Sequence, residues 1–189
     1  MRKLTYYAGT TIDGYIAGPD GTFGFLPVEG DLLAAMIAEY PETVPTQFRG
    51  FMGLEEAPNK RFDTILMGRA TYEPGLSAGF TSPYAHLKQY VFSRSLVSAE
   101  PQVQIVAGDP VAFVRELKAQ PGMDIWLCGG GNLAAQLAEE IDELVIKRYP
   151  IVIGSGIPMF NGPFALNHFE LTETRAFNTG AVMTYAKKA

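Results

Sequence analysis

Short β-like runs alternate with helical spacings along almost the whole chain, and no other feature constrains its fold as strongly. Leu4 to Thr10 reads as a buried first strand. Leu32, Leu33, Met36 and Ile37 then recur at the spacing of one helix face, with Asp31 ahead of them as a candidate N-cap. Thr64 to Met67, Gln89 to Phe92 and Val103 to Val106 are further short strands. Asp109-Pro110 opens a helix through Leu117: a cap residue is followed by proline at the first helical position, where its missing N–H costs nothing. Asp124 to Cys128 runs apolar into Gly129-Gly130-Gly131, and the helix beyond places Leu133, Leu137 and Ile141 on one face. Glu143 to Lys147 is another strand, and stretches at about 168–176 and 181–187, joined around Asn178-Thr179-Gly180, predict a closing hairpin. Residues 13–21 are dense in turn formers and read as a loop. Residues 40–60, with Pro41, Pro45 and Pro58, read as an irregular excursion containing a short helix near 46–54.

This alternation predicts an α/β architecture with a mostly parallel central sheet covered on both faces and a C-terminal antiparallel hairpin at one edge. At 189 residues the chain is expected to form one domain, 1–189, with a substantial core. In such sheets ligands sit at the carboxyl ends of the strands, and three signals follow strands directly: Gly68-Arg69, Ser93-Arg94 and the three glycines at 129–131. Consecutive glycines give up much backbone freedom on folding, but they let a ligand lie directly on peptide groups. The helix after them presents unpaired N–H groups and a positive dipole end, which suits a phosphate. Each signal alone also fits an ordinary turn or a solvated arginine. Together, two guanidinium groups and a backbone cradle describe a ligand with several phosphates, and a 2′-phosphorylated dinucleotide such as NADPH fits.

Charge and composition narrow the partners. A formal net charge of −5 argues against general nucleic-acid binding and against anionic membranes. Cys128 stands alone, so no internal disulfide forms, which suits a cytoplasmic protein. With His86 and His168 the only histidines, and no cysteine pair, no zinc site is expected. The N-terminus lacks a signal-peptide apolar region, and no run is long enough to span a bilayer. Neither the usual Gly-x-Gly-x-x-Gly fingerprint nor the P-loop motif is present.

Five motifs carry a family resemblance: Ile12-Asp13-Gly14-Tyr15-Ile16-Ala17-Gly18, Met67-Gly68-Arg69-Ala70-Thr71-Tyr72-Glu73, Phe92-Ser93-Arg94, Trp126 to Leu133, and Pro150 to Phe160. On these the chain resembles the dihydrofolate reductase-like superfamily, and within it the bacterial bifunctional deaminase-reductase C-terminal domain family, the reductase part of riboflavin biosynthesis. The resemblance implies a dihydrofolate reductase-like three-layer α/β/α fold, NADPH as cofactor and a homodimer. It places Gly9 and Ile16 along the nicotinamide. It sets Gly68, Arg69 and Thr71 at the pyrophosphate and adenosine phosphates, Ser93 and Arg94 at the 2′-phosphate, and Gly129, Gly130, Gly131, Asn132 and Leu133 around the pyrophosphate. It also implies a cis Gly129–Gly130 bond, an uncommon geometry for a non-proline peptide. The chain lacks His-x-Glu and Pro-Cys-x-x-Cys, so the zinc deaminase half of the bifunctional enzyme is missing.

The reacting side is less defined. Glu29 and Asp31 both stand where a substrate-binding acid is expected, although Asp31 equally fits its capping role and Glu29 a solvated loop. Lys147, mid-strand, either faces the substrate or guards a sheet edge. Asp13 reads as a turn residue, Tyr72 and Trp126 as packing residues, and Cys128 as an inert, buried hydrophobe. The resulting expectation is an NADPH-dependent reductase that transfers a hydride to a C=N or C=O bond of a small heterocycle. Candidate substrates are 5-amino-6-(5-phosphoribosylamino)uracil and pterin-like compounds. The alternative is a non-catalytic module that binds NADP(H) or another phosphorylated nucleotide.

Overall fold

The computed structural model describes residues 1–27, 29–97 and 100–188. In chain order the elements are β1 (Leu4–Thr10), β2 (Tyr15–Ala17), α1 (Gly30–Glu39), a one-turn 3-10 helix (Pro41–Thr43), α2 (Thr46–Arg49), β3 (Phe62–Gly68), α3 (Arg69–Ser77), β4 (Lys88–Phe92), β5 (Val103–Val106), α4 (Pro110–Ala119), β6 (Asp124–Gly129), α5 (Gly131–Gln136), β7 (Glu143–Arg148), β8 (Ile157–Pro158), β9 (Phe169–Phe177) and β10 (Gly180–Lys187). Eight strands form one sheet in the order β5-β4-β3-β6-β1-β7-β10-β9. The first six of these are mutually parallel, and β10 joins β7 antiparallel and carries β9 as the closing hairpin. All six parallel strands therefore end on one edge, at Thr10, Gly68, Phe92, Val106, Gly129 and Arg148.

Each face of the sheet has its own core. One gathers Tyr7, Leu32, Met36, Phe62, Met67, Tyr72, Trp126 and Val145 under α1 and α3. The other packs Leu4, Tyr6, Leu66, Leu127 and Leu144 against Val114 and Leu117 of α4 and Leu133 and Ala134 of α5. Strands covered on both sides need apolar residues at consecutive positions, which is why β1 is buried along nearly its whole length. Tyr72 and Trp126 belong to the first core, as their residue types suggested. The cap of α4 is also as expected, with Asp109 Oδ1 accepting from the Val111 N–H at 2.9 Å.

Three local expectations need correction. The 13–21 loop contains β2, which pairs antiparallel with β8, far along the chain, to make a small second sheet. Helix α1 starts two residues earlier than a cap at Asp31 implies, with Glu29 at the N-cap and Asp31 inside the first turn. Helix α5 ends at Gln136 and the chain continues as turns, although Leu137 and Ile141 are buried as expected. The cause in α1 is tertiary: the 178–179 turn of the hairpin approaches here, and a Cβ on Gly30 would lie 2.9 Å from Thr179 Cγ2. Gly30 adopts φ +79°, which glycine reaches without strain.

Candidate functional site

Beyond the ends of β3, β4 and β5 lies a cleft of about 500 Å³, lined by Arg69, Ser93, Arg94, Ser95, Asn132 and Leu133 among others. Three separate stretches of sequence meet here because their strands are neighbours in the sheet. Arg69 opens α3 directly after Gly68, and its guanidinium reaches Ser95 Oγ at 2.8 Å and Glu73 Oε1 at 2.5 Å. Glu73 sits one turn along the same helix, so part of the Arg69 charge is already answered at the surface. Arg94 is exposed and has no hydrogen-bonded or ion-paired partner among the described residues. The Ser93 hydroxyl accepts from the Leu96 N–H at 3.0 Å, which fixes the turn and leaves its own hydrogen free to donate. Asn132 is also exposed, and its Oδ1 accepts from Gln136 Nε2 at 2.7 Å.

The glycine run joins β6 to α5, whose Asn132 and Leu133 line this cleft. The Gly129–Gly130 peptide is cis, and Gly129 has φ +128°. A Cβ on Gly68 would lie 3.5 Å from Gly130 N, so the two backbones run close together with room for little more than a methyl group between them. A Cβ on Gly130 would stand 3.4 Å from Thr71 Oγ1 and 3.8 Å from Ile16 Cδ1, which puts both residues beside the turn. Gly131 has a different reason to be glycine. A Cβ there would fall 2.1 Å from the Pro158 carbonyl oxygen, and the Asn161 N–H donates to Gly131 O at 2.9 Å. Packing by the strap that carries β8, and not open access, accounts for the third glycine. Leu133 both lines the cleft and belongs to the core, at 4% exposure.

The second part of the site lies at the ends of β1 and β7. In the sheet register Lys147 faces Gly9 on one side and Val182 on the other. Strand β7 is interior, between β1 and β10, so Lys147 does not guard an edge. Opposite a glycine its stem can lie across β1, and its Nζ sits 4.2 Å from the centroid of the Tyr7 ring, a cation–π contact. A Cβ on Gly9 would meet Tyr149 Cε2 at 3.1 Å, Leu26 Cδ1 at 3.5 Å and Lys147 Cε at 3.9 Å, so glycine here makes room for those side chains. Burial holds the Lys147 ammonium below its ordinary pKa, with Tyr149 and Cys128 pulling weakly the other way. Cys128 is half-buried and its thiol is pushed up to about 12 by burial, so it stays protonated.

The two candidate acids stand at the start of α1. Glu29 is exposed at the N-cap of α1 and its side chain makes no capping bond. Asp31 is exposed too. Its Oδ2 accepts from the Asn178 N–H at 2.9 Å and its Oδ1 from the Leu32 N–H at 2.9 Å. The Asn178 contact, more than any other, holds its carboxyl below the usual range. Asp31 therefore ties α1 to the hairpin turn. Asp13 accepts from the Gly154 N–H at 2.8 Å, which pins the strap beside the second sheet. Sequence reasoning missed Tyr7, Tyr149, Leu26 and Ser95 as parts of the site. One signal was available for Tyr149 and Leu26: a glycine inside a strand, here Gly9, often marks a close approach by other groups.

Comparisons with known proteins agree with this architecture. The sequence model of the RibD C-terminal domain matches residues 2–183. The uncharacterized protein YwjB of Bacillus subtilis is 30% identical over 192 residues, covering 98% of each chain. The uncharacterized protein YyaP of the same organism is 26% identical, over 96% of this chain and 93% of that one. Among solved structures, a proposed riboflavin biosynthesis protein from Shewanella sp. PV-4 superposes with a TM-score of 0.71 at 27% identity over the full length of both. The Thermotoga maritima diaminohydroxyphosphoribosylaminopyrimidine deaminase/5-amino-6-(5-phosphoribosylamino)uracil reductase gives 0.66 at 12% identity, over 99% of this chain and 57% of that one. Dihydrofolate reductase from Enterococcus faecalis, solved with NADP(H), gives 0.64 at 14% identity over 99% and 97% of the chains.

Proposed function

The chain belongs to the RibD C-terminal domain family, and from that premise we propose that it is an NADPH-dependent reductase acting on a C=N or C=O bond of a small heterocycle. Compounds such as 5-amino-6-(5-phosphoribosylamino)uracil or a pterin define the size and polarity of that substrate. The fold is of the reductase type shared with its structural neighbours. One observation supports the reading above the others: Arg69, Ser93 and Arg94, drawn from the ends of different strands, share a cleft with the glycine-turn helix.

The residues present fit the cofactor. Arg94 is an unanswered guanidinium at the cleft, suited to bidentate contact with a phosphate. Thr71 and Ile16 stand beside Gly130, and Gly68 lies against the same turn. In this assignment Ser93 and Arg94 hold the 2′-phosphate, while Gly68, Arg69, Thr71, Gly129, Gly130 and Asn132 hold the remaining phosphates, and Gly131 and Leu133 shape the turn from beneath the strap and the core. Gly9 and Ile16 flank the nicotinamide, which supplies the hydride when the cofactor is bound. Lys147 and its aromatic neighbours border the substrate, and Asp31 is assigned to the hairpin turn. Pairing of two copies is part of the same proposal, and sedimentation measures it.

Titration of NADPH and NADH into the protein and into Arg94→Ala tests the assignment. The variant should weaken NADPH by roughly ten- to a hundredfold, the value of a charged hydrogen bond, and leave NADH almost unchanged. Equal losses for both cofactors would remove the 2′-phosphate role. Tight NADPH binding without oxidation against an aminopyrimidine, a dihydropterin and dihydrofolate would favour the non-catalytic binding module.

A further inference from the structure

We infer that Lys147 is the proton donor of the reaction, and that the bond reduced is a carbonyl whose oxygen meets its Nζ. The inference rests on the reductase reading above and narrows its substrate to a C=O acceptor.

A half-buried ammonium normally finds a carboxylate or several carbonyl oxygens, because an unanswered charge away from water is costly. Lys147 has neither. Among the described residues its Nζ makes no hydrogen bond and no ion pair, and its close polar-face partner is the π-cloud of Tyr7. Sheet pairing cannot supply one, since its cross-strand neighbours are Gly9 and Val182. The titratable groups that face it are Tyr7 from β1, Cys128 from β6 and Tyr149 just beyond β7, and no carboxylate is among them. From the segment before α1 the neighbour is apolar, Leu26 against Gly9. The acids that would complete an ion pair are exposed at the start of α1, one of them bound to the hairpin turn. The ammonium of Lys147 thus stands among aromatic rings with its hydrogens unclaimed by any hydrogen-bond acceptor among the described residues.

An unclaimed donor of this kind favours a ligand that brings the acceptor. A protonated imine or an amidine-like N–H edge would meet a cation where it needs a carboxylate. A carbonyl oxygen, which gains negative charge as its carbon is attacked, meets a donor already in place. The step balances. Hydride arrival forms a C–H bond while the C=O π pair moves to oxygen. An Nζ–H bond breaks as an O–H bond forms, so the carbonyl is reduced to an alcohol and NADPH is oxidised. Lys147 is left as a neutral amine and regains its proton from solvent. A lowered lysine pKa eases that release.

The test uses 4-nitrophenol, whose phenolate is a planar oxyanion with its own colour, titrated at pH 6 into the protein saturated with NADP+. Wild type should bind the phenolate at least about tenfold more tightly than Lys147→Met does, and should raise the ionised fraction of the bound probe. Benzamidine, a planar cation, should bind more weakly than the phenolate to wild type and gain affinity in Lys147→Met. NADPH affinity, measured separately, should be the same in both proteins. Equal phenolate binding by the two, no phenolate binding by wild type, or a preference of wild type for benzamidine would overturn the inference. Failure of NADPH to bind at all would instead overturn the reductase reading.

Discussion

At the ends of β3, β4 and β6 the groups offered to a ligand are exposed guanidinium ions and bare backbone, whereas at the ends of β1 and β7 they are aromatic rings and one half-buried ammonium. The first region has its charges in water, where they cost little to keep and each contributes little alone. Its donors converge, since several strands deliver one each. The second region keeps its single charge away from water and answers it with a ring face in place of an anion. The difference teaches where stability has been given up: the arginine-lined cleft is close to neutral for folding, while the buried surroundings of Lys147 are held at a cost.

The largest test of this contrast falls on the glycine turn. Gly131→Ala drives a methyl group into the Pro158 carbonyl, and it should destabilise the protein by roughly 3 kcal/mol, lowering Tm by about 10 °C. NADPH affinity should fall with it, because the strap and the turn shift together. An unchanged Tm would mean that the strap yields easily, and the cleft would then owe its shape to the ligand alone.

A smaller effect, of opposite sign, belongs to the pocket. Lys147→Met removes a half-buried charge and keeps the volume, so it should stabilise by about 1 kcal/mol, or roughly 3 °C in Tm. The sign with pH follows from the lowered pKa. Below that lowered value the folded state carries the full cost of the charge, and the cost is relieved as pH rises toward 10.5, the ordinary lysine value. The advantage of Lys147→Met should therefore be greatest at neutral pH and shrink in alkali. A variant less stable than wild type at neutral pH would show that the Tyr7 contact outweighs the burial cost, and the contrast between the regions would fail.

Asp31→Asn should give the smallest change and sharpens the boundary of the pocket. Its carboxylate is held ionised by the hairpin backbone, so it stabilises above the ordinary value of 3.8, and that contribution fades as pH falls through the lowered value. Thermal melts should show Asp31→Asn slightly less stable at pH 7 and equal to wild type in strong acid. Turnover with NADPH should change less than about threefold, within the range of remote surface changes. A loss of two orders of magnitude in kcat would return Asp31 to the reacting site.

The two regions were also unequally legible in the sequence. The cleft announces itself, because Gly68-Arg69, Ser93-Arg94 and Gly129 to Gly131 each follow an apolar run and parallel strands bring their ends together. Even the cap of α4 was readable from Asp109-Pro110. The pocket hides, since a lysine in mid-strand shows neither which face it takes nor what lies across from it. Only the pairing of β7 with β1 sets Lys147 opposite Gly9 and lets its amine reach Tyr7. Strands as short as β2 and β8 leave no periodicity to read, and their partnership spans most of the chain. The start of α1 was misread for the same reason: a hairpin turn nearly 150 positions away claims the carboxylate that its local pattern offers as a cap.

The strap also sets an order of events during synthesis. Residues 157–161 cover Gly131 and meet β2 through β8, so the turn at 129–131 has no roof until that segment has left the ribosome. A nascent chain that ends before it exposes a sheet whose ligand edge is unfinished. The cover over the turn is therefore laid down late, after the sixth parallel strand has been made.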